Sequence, residues 1–119
     1  MSVEANGQLI RDFYRDVWHT SGQPPFDRYL APQLSDYRDV IGNVRASIPD
    51  IHWTLDALVA EGDLVAERWT VTGTHRETGE RVTGDGMTLF RIRDGKIVEH
   101  WAYQSPDMLE QIHRLGIGS

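Results

Sequence analysis

The 119-residue chain contains no cysteine, which excludes disulfides, thiolate metal sites and cysteine nucleophiles. Lysine is nearly absent too: Lys96 is the only one, and arginine supplies eleven of the twelve basic residues. There is no excess of positive charge. A formal net charge of −6 argues against nucleic acid as the main partner, because phosphate binding needs a basic surface. No basic run or basic amphipathic helix points to a membrane surface, and no apolar run approaches the roughly 18 residues that span a bilayer. The N-terminal MSVEANGQLIRDFY lacks both the basic start and the apolar stretch of a signal peptide, so a cytoplasmic protein is expected. Phosphate-cradling glycine loops, nucleophile elbows and dinucleotide fingerprints are missing. His19, His52 and His113 have no partners at metal-ligand spacing. Neither a metal nor a cofactor is expected.

What is present is a chain of ordinary globular composition, 39% hydrophobic and 25% charged, long enough for one domain over residues 1–119 with a single core. Leu9, Ile10, Phe13, Tyr14, Val17 and Trp18 recur at helical spacing, which predicts a first helix over about 3–19. Ser21-Gly22-Gln23-Pro24-Pro25 stops it. A short helix over 26–30 is halted by Ala31-Pro32. A third helix follows, capped by Ser35 or Asp36, with Tyr37, Val40, Ile41, Val44 and Ile48 as its buried face. From Ile51 the period changes to two, predicting strands at about 51–61, 64–76, 80–93 and 96–104. Glu61-Gly62-Asp63, Glu77-Thr78-Gly79 and Arg93-Asp94-Gly95 carry the Gly and Asp that tight hairpins require. Ser105-Pro106-Asp107 opens a last helix through Leu115. Helices followed by an antiparallel meander make an α+β fold, and a strongly twisted sheet can curl into a cone that leaves a small-molecule cavity under the helices.

The ordered segments Phe13-Tyr14-Arg15-Asp16-Val17-Trp18, Tyr29-Leu30-Ala31-Pro32, Ile48-Pro49-Asp50, Leu58-Val59-Ala60-Glu61-Gly62-Asp63, Arg68-Trp69-Thr70, Gly73-Thr74-His75, Phe90-Arg91-Ile92 and Asp94 to Trp101 resemble the SnoaL-like branch of the nuclear transport factor 2-like superfamily. The resemblance covers nearly the whole chain. It implies a cone-shaped, curved antiparallel sheet with helices packed on its concave face, a deep apolar pocket and a homodimer. Relatives include polyketide cyclases, ketosteroid isomerases and limonene-type epoxide hydrolases. The chain departs from them in two ways. Ser35-Asp36-Tyr37 follows Leu30-Ala31-Pro32 almost at once, so the usual first strand is missing or shortened, and with it the isomerases' general base. The acids that relatives carry also align with Thr88, Ala102 and Thr70, while Arg68 keeps the arginine of the epoxide hydrolases.

If Thr88 and Ala102 mark the inner face, parity adds Phe90, His100 and Gln104, and the alignment places Arg68 and Thr70 there too. Arg68 could equally pair with Asp56 or Glu67. Tyr14 aligns with the hydrogen-bonding tyrosine of the isomerases and, with Trp18, covers the pocket; both could also be plain core aromatics. His100 is the best acid–base candidate because its ordinary pKa is closest to neutrality. His75 reads as rim or turn, and Asp85 lies opposite Thr88 unless Gly84 and Gly86 form a bulge. Trp53, Trp69 and Trp101 are expected on the outer sheet face, as a homodimer surface. The expected function is binding of, or proton-transfer chemistry on, a small apolar carbonyl-type metabolite. His100 and Tyr14 would be catalytic and Trp18, Arg68, Thr70, Thr88, Phe90, Ala102 and Gln104 would contact ligand. A non-catalytic binder and a scaffold are the alternatives.

Overall fold

A computed structural model describes residues 2–118. Helix α1 (Val3–Phe13) is capped by Ser2, whose hydroxyl accepts from the Ala5 N–H. It runs without a break into a π-helical turn over Tyr14–Trp18, closed by the His19 N–H on the Tyr14 carbonyl at 2.9 Å. The predicted first helix is therefore one unit in two geometries. Helix α2 (Phe26–Tyr29) and a 3₁₀ turn (Pro32–Leu34) lead to α3 (Ser35–Ser47). The 3₁₀ turn takes the place of the side-chain cap expected from Ser35 or Asp36.

Four strands follow: β1 (His52–Glu61), β2 (Leu64–Thr74), β3 (Arg81–Arg93) and β4 (Lys96–Gln104). They form one antiparallel sheet in the order β1-β2-β3-β4. The hairpins turn where the sequence indicates, with positive φ at Gly62, Gly79 and the pair Asp94-Gly95, the conformation glycine adopts without a Cβ penalty. Helix α4 (Pro106–Leu115) starts at Ser105, whose hydroxyl accepts from the Met108 N–H at 3.2 Å, and ends at left-handed Gly116. Among the described residues no strand precedes β1. Leu30 makes an isolated parallel bridge with Ile97, with the Ala31 N–H on the Ile97 carbonyl at 2.9 Å.

The core fills the concave side of the sheet. Ile10, Phe13 and Val17 from the first helical unit meet Val65, Val71, Val82, Phe90 and Ile97 from the strands, all sealed from solvent. Ile41 plugs the same core from α3, yet its helix neighbours Tyr37 and Val44 are only half-buried and Val40 is exposed. That helix stands off the sheet, and the space beneath it is the cavity.

Candidate functional site

A cavity of about 270 Å³ lies between α3, α4, the π-helical turn and the concave sheet face. The turn supplies Tyr14 and Trp18, β1 supplies Trp53, β2 Trp69, and β4 His100, Ala102 and Gln104. Tyr37 and Val44 of α3 and Met108 and Ile112 of α4 close the opposite side. The lining is mostly apolar, with aromatic rings along one wall. Trp53 is the hub of it, its ring centroid 4.9 Å from those of Trp18 and Trp69 and 5.7 Å from that of Tyr14.

Strand β2 decides which polar groups face inward. Val65, Glu67, Trp69 and Val71 alternate on the concave side and are all buried. Arg68 and Thr70, expected in the pocket, therefore lie on the convex side. There Arg68 reaches Asp56 at 3.5 Å and Asp85 at 3.3 Å, and the Thr70 hydroxyl donates to Asp56 at 2.7 Å. Of the two readings of Arg68, the one pairing it with Asp56 describes the structure. The aligned Arg-Trp-Thr segment is one residue out of phase with the apolar set Val65, Val71 that must be buried.

The same parity brings Trp69 inside, and Trp53 with it, because the two strands pair with Trp53 opposite Val71. These two tryptophans line the cavity instead of forming an outer dimer surface; Trp101 alone keeps the convex position. The inward turn of Trp69 depends on Gly86, its register partner, since a Cβ there would sit 2.5 Å from the indole. The Trp69 indole N–H then donates to the Thr88 hydroxyl at 2.9 Å. Thr88, His100, Ala102, Gln104, Tyr14 and Trp18 line the cavity as the sequence predicts. Phe90 shares their face but lies deeper, fully buried with its ring centroid 6.1 Å from Phe13.

The sequence offers Glu67 only as an ion-pair partner for Arg68, not as a cavity carboxylate. Glu67 is 1% exposed, and the Tyr14 hydroxyl donates to its Oε1, while Oε2 has no partner among the described residues. Burial pushes its pKa up to about 7, against weaker opposing effects of the Tyr14 hydrogen bond and of Arg11. Burial and the neighbouring carboxylate hold the Tyr14 phenol well above its ordinary range, and burial does the same to Tyr37. A carboxylate absent from positions 88 and 102 is thus supplied by Glu67 on β2, the register partner of Thr88. The signal was available: Glu67 is the one charged residue in an otherwise apolar alternating set.

His100 stacks on Tyr37, ring centroids 3.7 Å apart. Burial lowers its pKa, favouring the neutral ring, and its Nδ1 has no partner among the described residues. Other candidates fall outside the cavity. His75 is a buried turn residue bonded to Thr78 at 2.9 Å, and Asp85 is convex. His19 stacks on His52 and its Nε2 accepts the Trp53 backbone N–H. Among the described residues no cluster of His, Asp or Glu could hold a metal, and no helix is long and apolar enough to cross a membrane.

The family described as SnoaL-like polyketide cyclase matches residues 8–112. Among solved structures, AclR from Streptomyces galilaeus is 27% identical with a TM-score of 0.76 over 97% of this chain and 98% of its own. TsrD from Streptomyces laurentii is 24% identical, TM-score 0.78, over 98% of each chain. A SnoaL-like protein from Jannaschia sp. CCS1 superposes with a TM-score of 0.80 at 15% identity, over 91% of this chain and 90% of its own; these last two attest the fold alone. No curated protein sequence matches.

Proposed function

The chain belongs to the family of SnoaL-like polyketide cyclases, and from that premise we propose that it catalyses proton transfer on a small, largely apolar carbonyl compound held in the aromatic cavity. The observation that carries this reading is the Tyr14–Glu67 pair, a phenol on the cavity wall hydrogen-bonded to a buried carboxylate. When Glu67 is ionised it accepts a hydrogen bond from the Tyr14 hydroxyl, so the phenol oxygen turns a lone pair toward the ligand. Removal of a proton from the carbon next to the ligand carbonyl can then run through Tyr14: the phenol oxygen takes the carbon-bound proton as its own passes to Glu67, leaving an enolate. A base with a pKa near the working pH suits such a step, and neutral His100 is the group in the same cavity able to give or take a proton next.

Hydrogen–deuterium exchange tests this without knowledge of the natural substrate. The acetyl methyl of 2-acetonaphthone should exchange in D₂O faster with the protein than without it, followed by NMR. Glu67→Gln keeps an acceptor for Tyr14 but cannot take up the proton, and should lower the rate by about 100-fold, within the usual range for general acid–base catalysis. Tyr14→Phe should do the same. The alternative reading is a non-catalytic binder, favoured by the sealing of Glu67 behind Tyr14. It predicts that the probe binds with no exchange in any variant.

A homodimer through the convex sheet face accompanies this proposal, on a different basis from the tryptophans at 53 and 69. Val59, Ala66, Leu89 and Trp101 are successive register partners across all four strands. Met87 and Tyr103 pair alongside them, and Val59, Met87 and Tyr103 are 68%, 54% and 69% exposed. Such a band is larger than scattered surface apolar residues require. Arg68 and Arg91 share the face with Asp56, Asp85 and Glu99, so a two-fold can match opposite charges.

A further inference from the structure

The chain has four tyrosines, and the fold disposes of three of their hydroxyl groups. Tyr14 donates to Glu67 and Tyr29 to Asp16, while Tyr103 is 69% exposed. Tyr37 is the fourth. It lines the cavity from α3 and is half-buried. Its hydroxyl has no hydrogen-bond partner among the described residues, and it is not one of the unpartnered polar atoms that the fold closes off, which belong to Asn6, Trp18, Trp53, Glu67 and His100. The ring that carries it is held in place. It stacks on His100 with centroids 3.7 Å apart and 23° between the planes, and lies 6.3 Å from the fully buried Phe13. The Glu67 carboxylate acts on this phenol through space, and Tyr37 in turn on Tyr14. The free hydroxyl is thus within electrostatic range of the Tyr14–Glu67 pair and bonds to neither. A hydroxyl left unpaired in an apolar cavity is costly; a ligand oxygen would satisfy it.

Resting on the reading of the cavity as a proton-transfer site, we propose that Tyr37 is a further catalytic residue, whose hydroxyl donates a hydrogen bond to the carbonyl oxygen of the ligand while Tyr14 takes the proton from the neighbouring carbon. The two phenols divide the work. Tyr14, its own hydrogen turned to Glu67, presents a lone pair to the C–H bond, and Tyr37, its hydrogen uncommitted, presents a donor to the oxygen. As the C–H bond breaks, its electron pair forms the C=C bond of the enolate and the carbonyl π pair moves onto oxygen. The carbon-bound proton goes to Tyr14 as the Tyr14 proton goes to Glu67. Negative charge thereby passes from Glu67 to the ligand oxygen, and the reverse sequence restores the ketone. Burial and the nearby carboxylate raise the Tyr37 pKa, so this phenol keeps its proton beside the enolate. A fixed neutral donor strengthens toward an oxygen that gains charge, which lowers the barrier more than it tightens binding of the ketone. His100, stacked on the ring, fixes the plane in which the hydroxyl lies.

The test uses 2-acetonaphthone labelled with ¹³C at the carbonyl. Bound to the unmodified protein, its carbonyl signal should lie downfield of the position in hexane, as that of a hydrogen-bonded ketone does. Tyr37→Phe removes only the hydroxyl and should return the signal to the hexane position, whereas Tyr14→Phe should leave the downfield shift in place. Exchange of the acetyl methyl in D₂O should slow about 100-fold in Tyr37→Phe, the scale of losing one oxyanion donor, while the Kd of the probe rises only a few-fold, the scale of one neutral hydrogen bond. Exchange in Tyr37→Phe at the unmodified rate overturns the inference, and so does a downfield shift that survives in that variant. Both results leave the proton-transfer reading standing, since Glu67→Gln tests that reading separately. Absence of exchange in the unmodified protein removes the reaction and this role with it. The matter is decided even if Tyr37→Phe fails to fold: a probe bound to the unmodified protein with its carbonyl signal at the hexane position refutes the contact.

Discussion

Glu67 shows what a single side chain contributes here and what it costs. Its pKa of about 7 in the folded protein lies above the ordinary 4.5, with burial as the main cause. A group shifted in this direction contributes its full stability below the unfolded pKa and loses it as pH rises through the folded one. The window is therefore about pH 4.5 to 7, and the loss is roughly 3 kcal/mol if the shift is fully expressed. Glu67→Gln should remove this dependence: the variant melts above the unmodified protein at pH 8 and close to it near pH 4.5, measured by circular dichroism. Lowered-pKa histidines such as His100 act in the opposite direction between their folded pKa and 6.5, so the difference between the two proteins is the quantity to read. A more stable but inactive variant is the pattern of a functional group kept at the expense of stability. At this scale the sequence was partly legible. Tyr14, Trp18, Thr88, His100, Ala102 and Gln104 reach the cavity because an apolar stripe and one strand pair determine their direction. Glu67 was missed as a cavity group because burying a lone carboxylate runs against the rule that charges stay outside.

Strand β2 carries the main error and its lesson. Alternation establishes two faces but does not say which is buried until the apolar members are counted. Val65, Trp69 and Val71 outweigh Ala66, Arg68 and Thr70, and that comparison places Arg68 and Thr70 outside without any alignment. Strand β1 adds a complication. Its register slips between Leu55 and Ala57, so Trp53 and Leu55 face inward before the bulge and Leu58 and Ala60 after it, and no single parity fits the strand. The glycines of β3 separate two kinds of crowding. A Cβ on Gly86 would lie 2.3 Å from the Tyr103 carbonyl oxygen as well as against Trp69, and backbone cannot yield as a side-chain tip can. Gly86→Ala should cost about 1–3 kcal/mol in urea unfolding and displace Trp69 from Thr88. A Cβ on Gly84 meets the Met108 side chain first, its Sδ at 2.1 Å, and since that thioether can swing aside Gly84→Ala should cost less.

The fold of the whole molecule was legible because helix period, strand period and turn chemistry agree along most of the chain. The absent first strand was legible as well, from the short distance between Pro32 and Ser35. The cavity's shape was not, because it depends on how far α3 stands from the sheet, and no local pattern encodes that separation. Assembly is the remaining question at this scale. Stable interfaces bury about 1,200–2,000 Å² in total, which the convex face of a four-stranded sheet can supply. Sedimentation at micromolar concentration should show a dimer, and Trp101→Arg with Leu89→Arg should shift it to monomer while the far-ultraviolet spectrum is retained. A protein that is monomeric before substitution would exclude this interface.

The π-helical turn between Phe13 and His19 has a consequence for how the chain tolerates insertion and deletion. Each residue of an ordinary helix advances about 100° around the axis. Removing one residue from this turn would swing Ile10 and Phe13 out of the core if Trp18 held its place, or swing the Tyr14 and Trp18 region out of the cavity if α1 held its own. Point substitutions at the exposed Arg15 leave that phase untouched, whereas its deletion would not. The numbering of these five residues is therefore a constraint in itself: their count, as much as their identity, keeps core and cavity in step.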